Sequence, residues 1–177
     1  MTKLDIILSN HNYVILLTFI TRYSMFNQLI PFNQNNYQAL NIVIVEASRF
    51  QRAFLANAIA FQRSYHHIMA VDKIEEVFSL MYEEVTIDLI FFDVDSGLNL
   101  NDIAIIKAIS NNMAFIHWSN CQHPEIIELL HELKVNCFCC KNSNSDNLIA
   151  AIDLIVTNPN ILYLDEHLKQ CLPLLTN

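Results

Sequence analysis

Glycine is almost absent from this sequence, since Gly97 is the only one among 177 residues. Rossmann dinucleotide sites and P-loops need several glycines because their backbones must approach phosphate groups closely. Both kinds of site are therefore excluded. A Ser-His-Asp hydrolase is disfavoured for a related reason, because its nucleophile sits on a strained turn flanked by glycines.

Positive charge is also scarce, with 10 Lys and Arg against 18 Asp and Glu, which gives a formal net charge of −8. A protein that binds a phosphate backbone usually carries the opposite sign, so we expect no direct binding of nucleic acid. Hydrophobic residues make up 53% of the chain and charged residues 16%. This composition is typical of a folded domain, and the length suits one domain with an extension.

A long hydrophobic run is missing from the N-terminal region. The apolar segment YVILLTFIT, from Tyr13 to Thr21, has about half of the roughly 20 residues that a membrane-spanning helix needs. The chain start has no basic cluster, and no small-residue cleavage site follows, so we expect no signal peptide. We interpret residues 1–40 as an extra helix or strand packed on the domain or on a second copy, with membrane attachment as the alternative.

Cysteine is limited to five residues, and three of them lie within residues 137–140. Cys139 and Cys140 are neighbours on a predicted strand, so their side chains point to opposite faces and cannot easily share one ligand geometry, which argues against a metal site. We interpret them as small apolar core residues of a reduced, intracellular protein: Cys121, Cys137, Cys139, Cys140 and Cys171.

From Leu40 onward, short apolar runs alternate with segments of helical periodicity. The runs predicted as strands are residues 41–45, 65–71, 87–92, 113–118 and 136–140. Ser48 is placed to cap the first helix, which carries apolar residues at three- and four-residue steps: Phe50, Phe54, Ala58 and Phe61. Five strand–helix units with apolar strands predict an α/β fold with a five-stranded parallel sheet, the doubly wound, flavodoxin-like (βα)5 arrangement.

Polar residues stand where four of these strands end: Glu46, Asp93, Ser119 and Lys141. The carboxyl ends of parallel strands share one edge, where such folds place their chemistry, so we expect these side chains to converge. The set suits the transfer of a phosphoryl group to Asp93, with Glu46 helping to hold a divalent cation. Ser119 and Lys141 would bind phosphoryl oxygens.

Over residues 40–157 the chain resembles the response-regulator receiver family. The motifs that carry the resemblance are VEAS at Glu46, FFDVD at Asp93, HWSN at Ser119 and CFCCK at Lys141. The resemblance implies a CheY-like fold in which Asp93 is the phosphoacceptor and Ser119 and Lys141 complete the catalytic set. It also implies that Phe138, three residues before Lys141, is the switch aromatic.

The chain departs from the family pattern at the metal site. The second acid of the family, usually the direct metal ligand, is Ala47 here. The resemblance implies a Mg²⁺ ion held by Glu46, Asp93 and, as a further candidate, Asp95, and the loss of one carboxylate should weaken its binding. Asp95 could replace the lost ligand or repel an incoming phosphoryl group, and the sequence leaves both readings open.

The resemblance implies a cytoplasmic two-component signalling protein, not an enzyme, that receives its phosphoryl group in a phosphorelay. The donor would be a histidine kinase or phosphotransfer protein. Output would pass through the fourth helix, fifth strand and fifth helix to a protein partner or, in a dimer, to a second copy. The alternative is a phosphorylation-independent pseudo-receiver that serves as an interaction or dimerisation module.

The predicted organisation is an N-terminal extension over residues 1–40, a receiver-like domain over 41–157 and a C-terminal tail over 158–177. Within the tail, ILYLDEHL resembles the segment that follows the receiver in helix-turn-helix regulators. We find no helix-turn-helix pattern after it. We therefore expect a protein that acts through partners, or a part of a longer regulator.

Overall fold

A computed structural model describes residues 39–64, 66–96, 100–110, 112–120 and 123–171. The predicted extension, residues 1–40, lies outside these ranges except for its last two residues. Gly97, Cys121 and the end of the predicted tail also lie outside them. The predicted domain boundaries and the membrane alternative therefore stay predictions.

The described chain is built on a parallel sheet of six strands in the order β2-β1-β3-β4-β5-β6. The strands are β1 (Asn41–Val45), β2 (His67–Val71), β3 (Leu89–Phe92), β4 (Ala114–Ser119), β5 (Cys137–Cys140) and β6 (Tyr163–Leu164). The first five are the predicted strands: β1 has the predicted ends, and the ends of the others differ by at most two residues. The prediction of a parallel α/β sheet is confirmed, but the expected number of strands is wrong.

The sixth strand comes from the segment that was predicted as a tail. It pairs with β5 through Cys137 with Tyr163 and Phe138 with Leu164. Two residues are too few to show the alternation by which a strand is recognised in a sequence. The pattern therefore gave no sign of this strand.

Six helices connect and follow the strands: α1 (Arg49–Gln62), α2 (Ile74–Tyr82), α3 (Leu100–Ile109), α4 (Pro124–Glu132), α5 (Ser145–Thr157) and α6 (Glu166–Cys171). Buried residues of α2, α3, α4 and α6 belong to one hydrophobic cluster, and those of α1 and α5 to another. The sheet is thus covered on both faces, as expected for a doubly wound fold. No helix in the part of the chain that the structure describes is long and apolar enough to cross a membrane.

Coverage on both faces explains why the strands are apolar almost throughout. In β1, Val43 and Val45 belong to the first cluster and Ile42 and Ile44 to the second, because successive side chains of a strand point to opposite faces. The strand β5 follows the same rule with small residues, and its thiols are buried and free: Cys137, Cys139 and Cys140. For these three cysteines, the interpretation as core residues is confirmed.

The buried face of α1 is not the one that the phenylalanine periodicity indicated. Leu55 and Ile59 are fully buried, whereas Phe50 is 80% exposed and Phe54 53% exposed. Gln51, Leu55 and Ile59 follow one another at four-residue steps and therefore share one side of the helix. That side faces the sheet, since Leu55 and Ile59 share a hydrophobic cluster with Ile42 and Ile44 of β1, and the phenylalanine stripe is turned outward.

Candidate functional site

The four polar residues predicted at the strand ends lie at the carboxyl edge of the sheet. Glu46 and Asp93 directly follow β1 and β3, Ser119 is the last residue of β4, and Lys141 directly follows β5. Glu46 and Lys141 extend the ladders, since their N–H groups donate to Val71 O at 3.1 Å and to Ser119 O at 3.2 Å. These hydrogen bonds fix the backbone from which the side chains reach the site.

Lys141 brings three polar side chains together. Its ammonium nitrogen, Nζ, lies 2.5 Å from Glu46 Oε2 and 2.6 Å from Gln51 Oε1, and it also contacts Asp93 Oδ2. Glu46 and Asp93 are each only 2% exposed. The sequence prediction of convergence therefore matches the geometry for Glu46, Asp93 and Lys141.

Backbone donors hold the remaining carboxylate oxygens. Asp93 Oδ1 accepts a hydrogen bond from Asp95 N at 2.9 Å, and Glu46 Oε1 accepts one from Ser48 N at 2.8 Å. Two carboxylates and one ammonium give the cluster a net charge of −1. Because the charges are buried, each depends on its partner, and loss of one partner from such a pair is strongly destabilising.

Ser119 lies beside the Lys141 cluster and is linked to it through Asp95. Its hydroxyl donates to Asp95 Oδ2 at 3.3 Å, and Asp95 in turn binds Asp93 through its backbone N–H. The carboxylate of Asp95 is exposed and points to Ser119 rather than to Lys141. Asp93 and Ser119 are thus joined by one intervening residue.

The side chains at this edge are a poor match to a divalent-cation site. Magnesium requires oxygen ligands in near-octahedral geometry and usually one or two carboxylates free to bind it. Here both buried carboxylates are engaged with the Lys141 ammonium, and Ala47 supplies no side-chain ligand. Among the described residues, no group of three or more His, Cys, Asp or Glu side chains could hold a metal ion. The predicted metal roles of Glu46, Asp93 and Asp95 stay predictions.

A row of rings lies in the core directly beneath the site. The ring of His117 lies 5.3 Å from that of Phe92 and 5.9 Å from that of Phe138, centroid to centroid. Phe138, the predicted switch aromatic, is fully buried. Burial lowers the pKa of His117 to about 4, against the opposing effect of the Asp93 carboxylate, and Lys141 adds to the lowering.

Two residues at the site were not predicted from the sequence. Gln51 binds the Lys141 ammonium from the first turn of α1, and the ring centroid of Trp118 lies 5.1 Å from the same nitrogen, a cation–π contact. A signal for Gln51 existed, because the first turn of a helix that follows a strand adjoins the carboxyl edge. Trp118 directly precedes Ser119, but no role at the site was predicted for it.

A further buried acid, Asp165, lies next to the site and was also missed. Its carboxylate accepts hydrogen bonds from the Cys140 N–H, from the Ser143 hydroxyl and, at 2.9 Å, from the Leu168 N–H. Asp165 is 1% exposed. It therefore ties the end of β5, one residue before Lys141, to the first turn of α6.

Comparisons with known proteins identify the fold. No protein-family model matches the sequence, and no curated protein matches it. Solved structures do match: a LuxR family DNA-binding response regulator from Silicibacter pomeroyi has a TM-score of 0.62 at 20% identity, covering 72% of this chain and 98% of that chain. A response regulator from Thermotoga maritima gives the same score and identity over 68% of this chain and 100% of that chain.

A third structure is the isolated REC domain of RcsB from Salmonella enterica serovar Typhimurium in the presence of phosphomimetic BeF3−. It has a TM-score of 0.66 at 11% identity and covers 76% of this chain and 99% of that chain. Identities this low show the fold alone. The described part of the chain thus has the fold of response-regulator receiver domains.

Proposed function

We propose that this chain is a cytoplasmic two-component signalling receiver that takes a phosphoryl group on Asp93. The donor is the phosphohistidine of a histidine kinase or phosphotransfer protein. The observation that carries the proposal is the contact of Lys141 with Asp93 and Glu46 at the carboxyl edge of the sheet. Receiver-like folding alone would not require two acids and an ammonium to meet there with a hydroxyl beside them.

The chemistry of the proposed transfer follows from these groups. A carboxylate oxygen of Asp93 attacks phosphorus, a new O–P bond forms, and the bond between phosphorus and the donor imidazole breaks. The imidazole leaves with the electron pair of that bond. Lys141 and Ser119 would bind the oxygens of the transferred group, because positioning and charge stabilisation supply most of the catalysis of phosphoryl transfer.

The proposed output surface includes the C-terminal segment of the described chain. The edge of β5 pairs with β6, so we propose that α4, α5 and the β6–α6 segment together present the signal. Leu129 on α4 and Val156 on α5 are exposed apolar side chains on the outer faces of these helices. The partner is another protein or a second copy of this chain.

A second candidate is a pseudo-receiver that acts as an interaction module without phosphorylation. It is favoured by Ala47, which removes a carboxylate from the site, and by the engagement of both buried carboxylates with Lys141. In that case Lys141 serves only as the cationic partner of two buried acids, and the cluster is structural.

Intact-mass measurement after incubation with magnesium and acetyl phosphate separates the two candidates. We expect a phosphoryl adduct on the wild-type protein and none on Asp93→Asn. Asp72→Asn is the matched control, because Asp72 is an exposed acid that directly follows β2 at the same edge, and it should be labelled like the wild type. Absence of an adduct from all three proteins would remove the phosphoacceptor and leave the interaction module.

A further inference from the structure

The ammonium group of Lys141 has no donor left for a ligand. A lysine ammonium carries three N–H donors, and the structure gives Nζ three acceptors, namely Glu46 Oε2, Asp93 Oδ2 and Gln51 Oε1. Two of these acceptors are carboxylates and the third is a neutral amide. A phosphoryl oxygen can bind Lys141 only by replacing one of them.

We propose that Gln51 is a positioning residue that occupies the third donor of Lys141 until a phosphoryl oxygen displaces it. This inference rests on the proposed function of Asp93 as phosphoacceptor. Gln51 acts through Lys141 and does not itself touch the transferred group. It sets how readily the site accepts a phosphoryl group.

Gln51 is the acceptor that Lys141 can release most easily. Glu46 and Asp93 are almost fully buried, so separation from the ammonium would take the opposite charge away from a buried carboxylate, which is costly. Gln51 is half-buried and uncharged. Its amide can turn toward solvent, where its oxygen accepts a hydrogen bond from water instead of from the Lys141 ammonium.

The position of Gln51 is fixed by the helix that carries it. Its backbone N–H donates to the Ser48 hydroxyl at 3.4 Å, which caps α1. One and two turns further on, Leu55 and Ile59 are fully buried against the sheet on the same side of the helix. The packing of α1 therefore aims the Gln51 side chain at the strand ends.

Substitutions at Gln51 should change ligand affinity in opposite directions. Gln51→Leu removes the acceptor and frees one N–H of Lys141, which favours binding of a phosphoryl oxygen. Gln51→Glu places a third carboxylate on the ammonium and changes the cluster charge from −1 to −2. The site of Gln51→Glu should therefore bind an anion more weakly than the wild-type site.

The affinity for beryllofluoride, a phosphoryl analogue, measures this effect. Trp118 is the single tryptophan of the chain, and its ring lies 5.1 Å from the Lys141 ammonium, so its fluorescence reports on the site. We expect the Kd of Gln51→Leu to fall by about tenfold, the effect of one hydrogen bond to a charged group, and that of Gln51→Glu to rise. With acetyl phosphate, the half-saturating concentration for Gln51→Leu should fall while the maximal rate constant of adduct formation changes little.

Gln62→Leu is the matched control, because Gln62 ends the same helix and binds Ser145 and Asp146 instead. It should bind beryllofluoride like the wild type. Thermal unfolding checks each variant, and Gln51→Met replaces Gln51→Leu if the latter does not fold. If Gln51→Leu binds beryllofluoride and the wild type does not, the proposal is supported, and Gln51 blocks the site in the wild-type protein.

Two outcomes would overturn the inference, and they differ in what they leave standing. Equal affinities of the wild type, Gln51→Leu and Gln51→Glu would show that Gln51 does not control Lys141, and the proposed function would survive. Failure of every variant to bind beryllofluoride, together with the absence of an acetyl phosphate adduct, would remove the phosphoacceptor and this inference with it.

Discussion

At the scale of the residue, Lys141 controls the electrostatics of the strand-end site. Its ammonium lies between Glu46 and Asp93, on the oxygens that a divalent cation would need. A cation must therefore compete with a covalently attached positive charge. Because the Ala47 side chain has no oxygen, position 47 offers the cation no additional ligand. We therefore propose that Mg²⁺ binds weakly.

Restoring a carboxylate at position 47 should strengthen metal binding. Ala47 directly follows Glu46 and is exposed, so Asp can be introduced there without disturbing the core. We expect Ala47→Asp to lower the Kd for Mg²⁺ by at least about tenfold, because ligand charge tunes the affinity of oxygen sites over orders of magnitude. Titration calorimetry or Trp118 fluorescence provides the measurement.

The control for this variant is Ala53→Asp, which adds the same charge at an exposed position of α1 away from the site. If both variants bind magnesium equally, general charge and not a local ligand is responsible, and the assignment of position 47 to the metal site is wrong.

A site residue could be predicted from the sequence when the direction of its strand alone determines where it lies. Asp93 and Lys141 follow parallel strands, and the shared direction of such strands puts them at one edge. Gln51 lies on a helix, where its direction depends on the rotation of α1 about its axis. That rotation is decided by packing with the sheet and cannot be derived from α1 alone.

At the scale of the element, α1 shows the limit of periodicity most clearly. Its sequence has two apolar stripes, one through Phe50 and Phe54 and another through Leu55 and Ile59. The first has the larger side chains, yet the second is buried. Periodicity identified the helix correctly, but the buried face is set by the packing of Leu55 and Ile59 against the sheet.

The β6–α6 segment is held to the sheet by the polar contacts of Asp165 as well as by Leu164 and Leu168, which are buried in the hydrophobic core. Asp165 accepts hydrogen bonds from β5, from the loop after it and from the first turn of α6. Tyr163 and Leu164 add a two-residue ladder. Long-range hydrogen bonds of this kind leave no periodic trace in a sequence.

Asp165→Asn should loosen this segment while the rest of the domain stays folded. An amide has one acceptor oxygen where the carboxylate has two, and hydrogen bonds to a charged group contribute about 1.5–3 kcal/mol each. We expect amide hydrogen exchange in residues 163–171 to accelerate by roughly tenfold or more. Mass spectrometry of peptides from this region gives the rates.

Glu166→Gln serves as the comparison for Asp165→Asn. The adjacent Glu166 carboxylate forms a surface pair with Lys169, and such pairs contribute little to stability. Unchanged exchange in Asp165→Asn, or equal acceleration in both variants, would show that Asp165 does not hold β6 and α6.

At the scale of the whole molecule, the alternation of apolar runs with helical segments was sufficient to predict the parallel sheet and its two-sided coverage. Near-continuous apolar strands are typical of parallel sheets, which are buried on both faces. The match to receiver structures shows the same fold. The count of strands was wrong because β6 is formed after the last periodic segment.

The free energy of unfolding should decrease as the pH is lowered, because of His117. Its pKa is about 4 in the folded protein against an ordinary value of 6.5. Between these values the unfolded chain binds more protons than the folded one, so stability is fully present above pH 6.5 and is lost as the pH falls toward 4. The contribution of His117 to the free energy of unfolding therefore falls by about 2 kcal/mol between roughly pH 7 and pH 5.

Urea unfolding of His117→Met at the two pH values isolates this contribution. The variant should lose about 2 kcal/mol less than the wild type on acidification. The exposed His131 on α4 supplies the control, and His131→Gln should follow the wild type. An identical pH dependence of His117→Met and wild type would show that His117 does not govern acid stability.

The proposed function requires that Asp93 itself receives the phosphoryl group. Borohydride reduction of acetyl phosphate-treated protein, followed by peptide sequencing, tests this most directly, because it converts an aspartyl phosphate into homoserine. We expect homoserine at position 93. Homoserine at another acid, or unmodified aspartate at 93 in protein that carries a phosphoryl group, would contradict the claim.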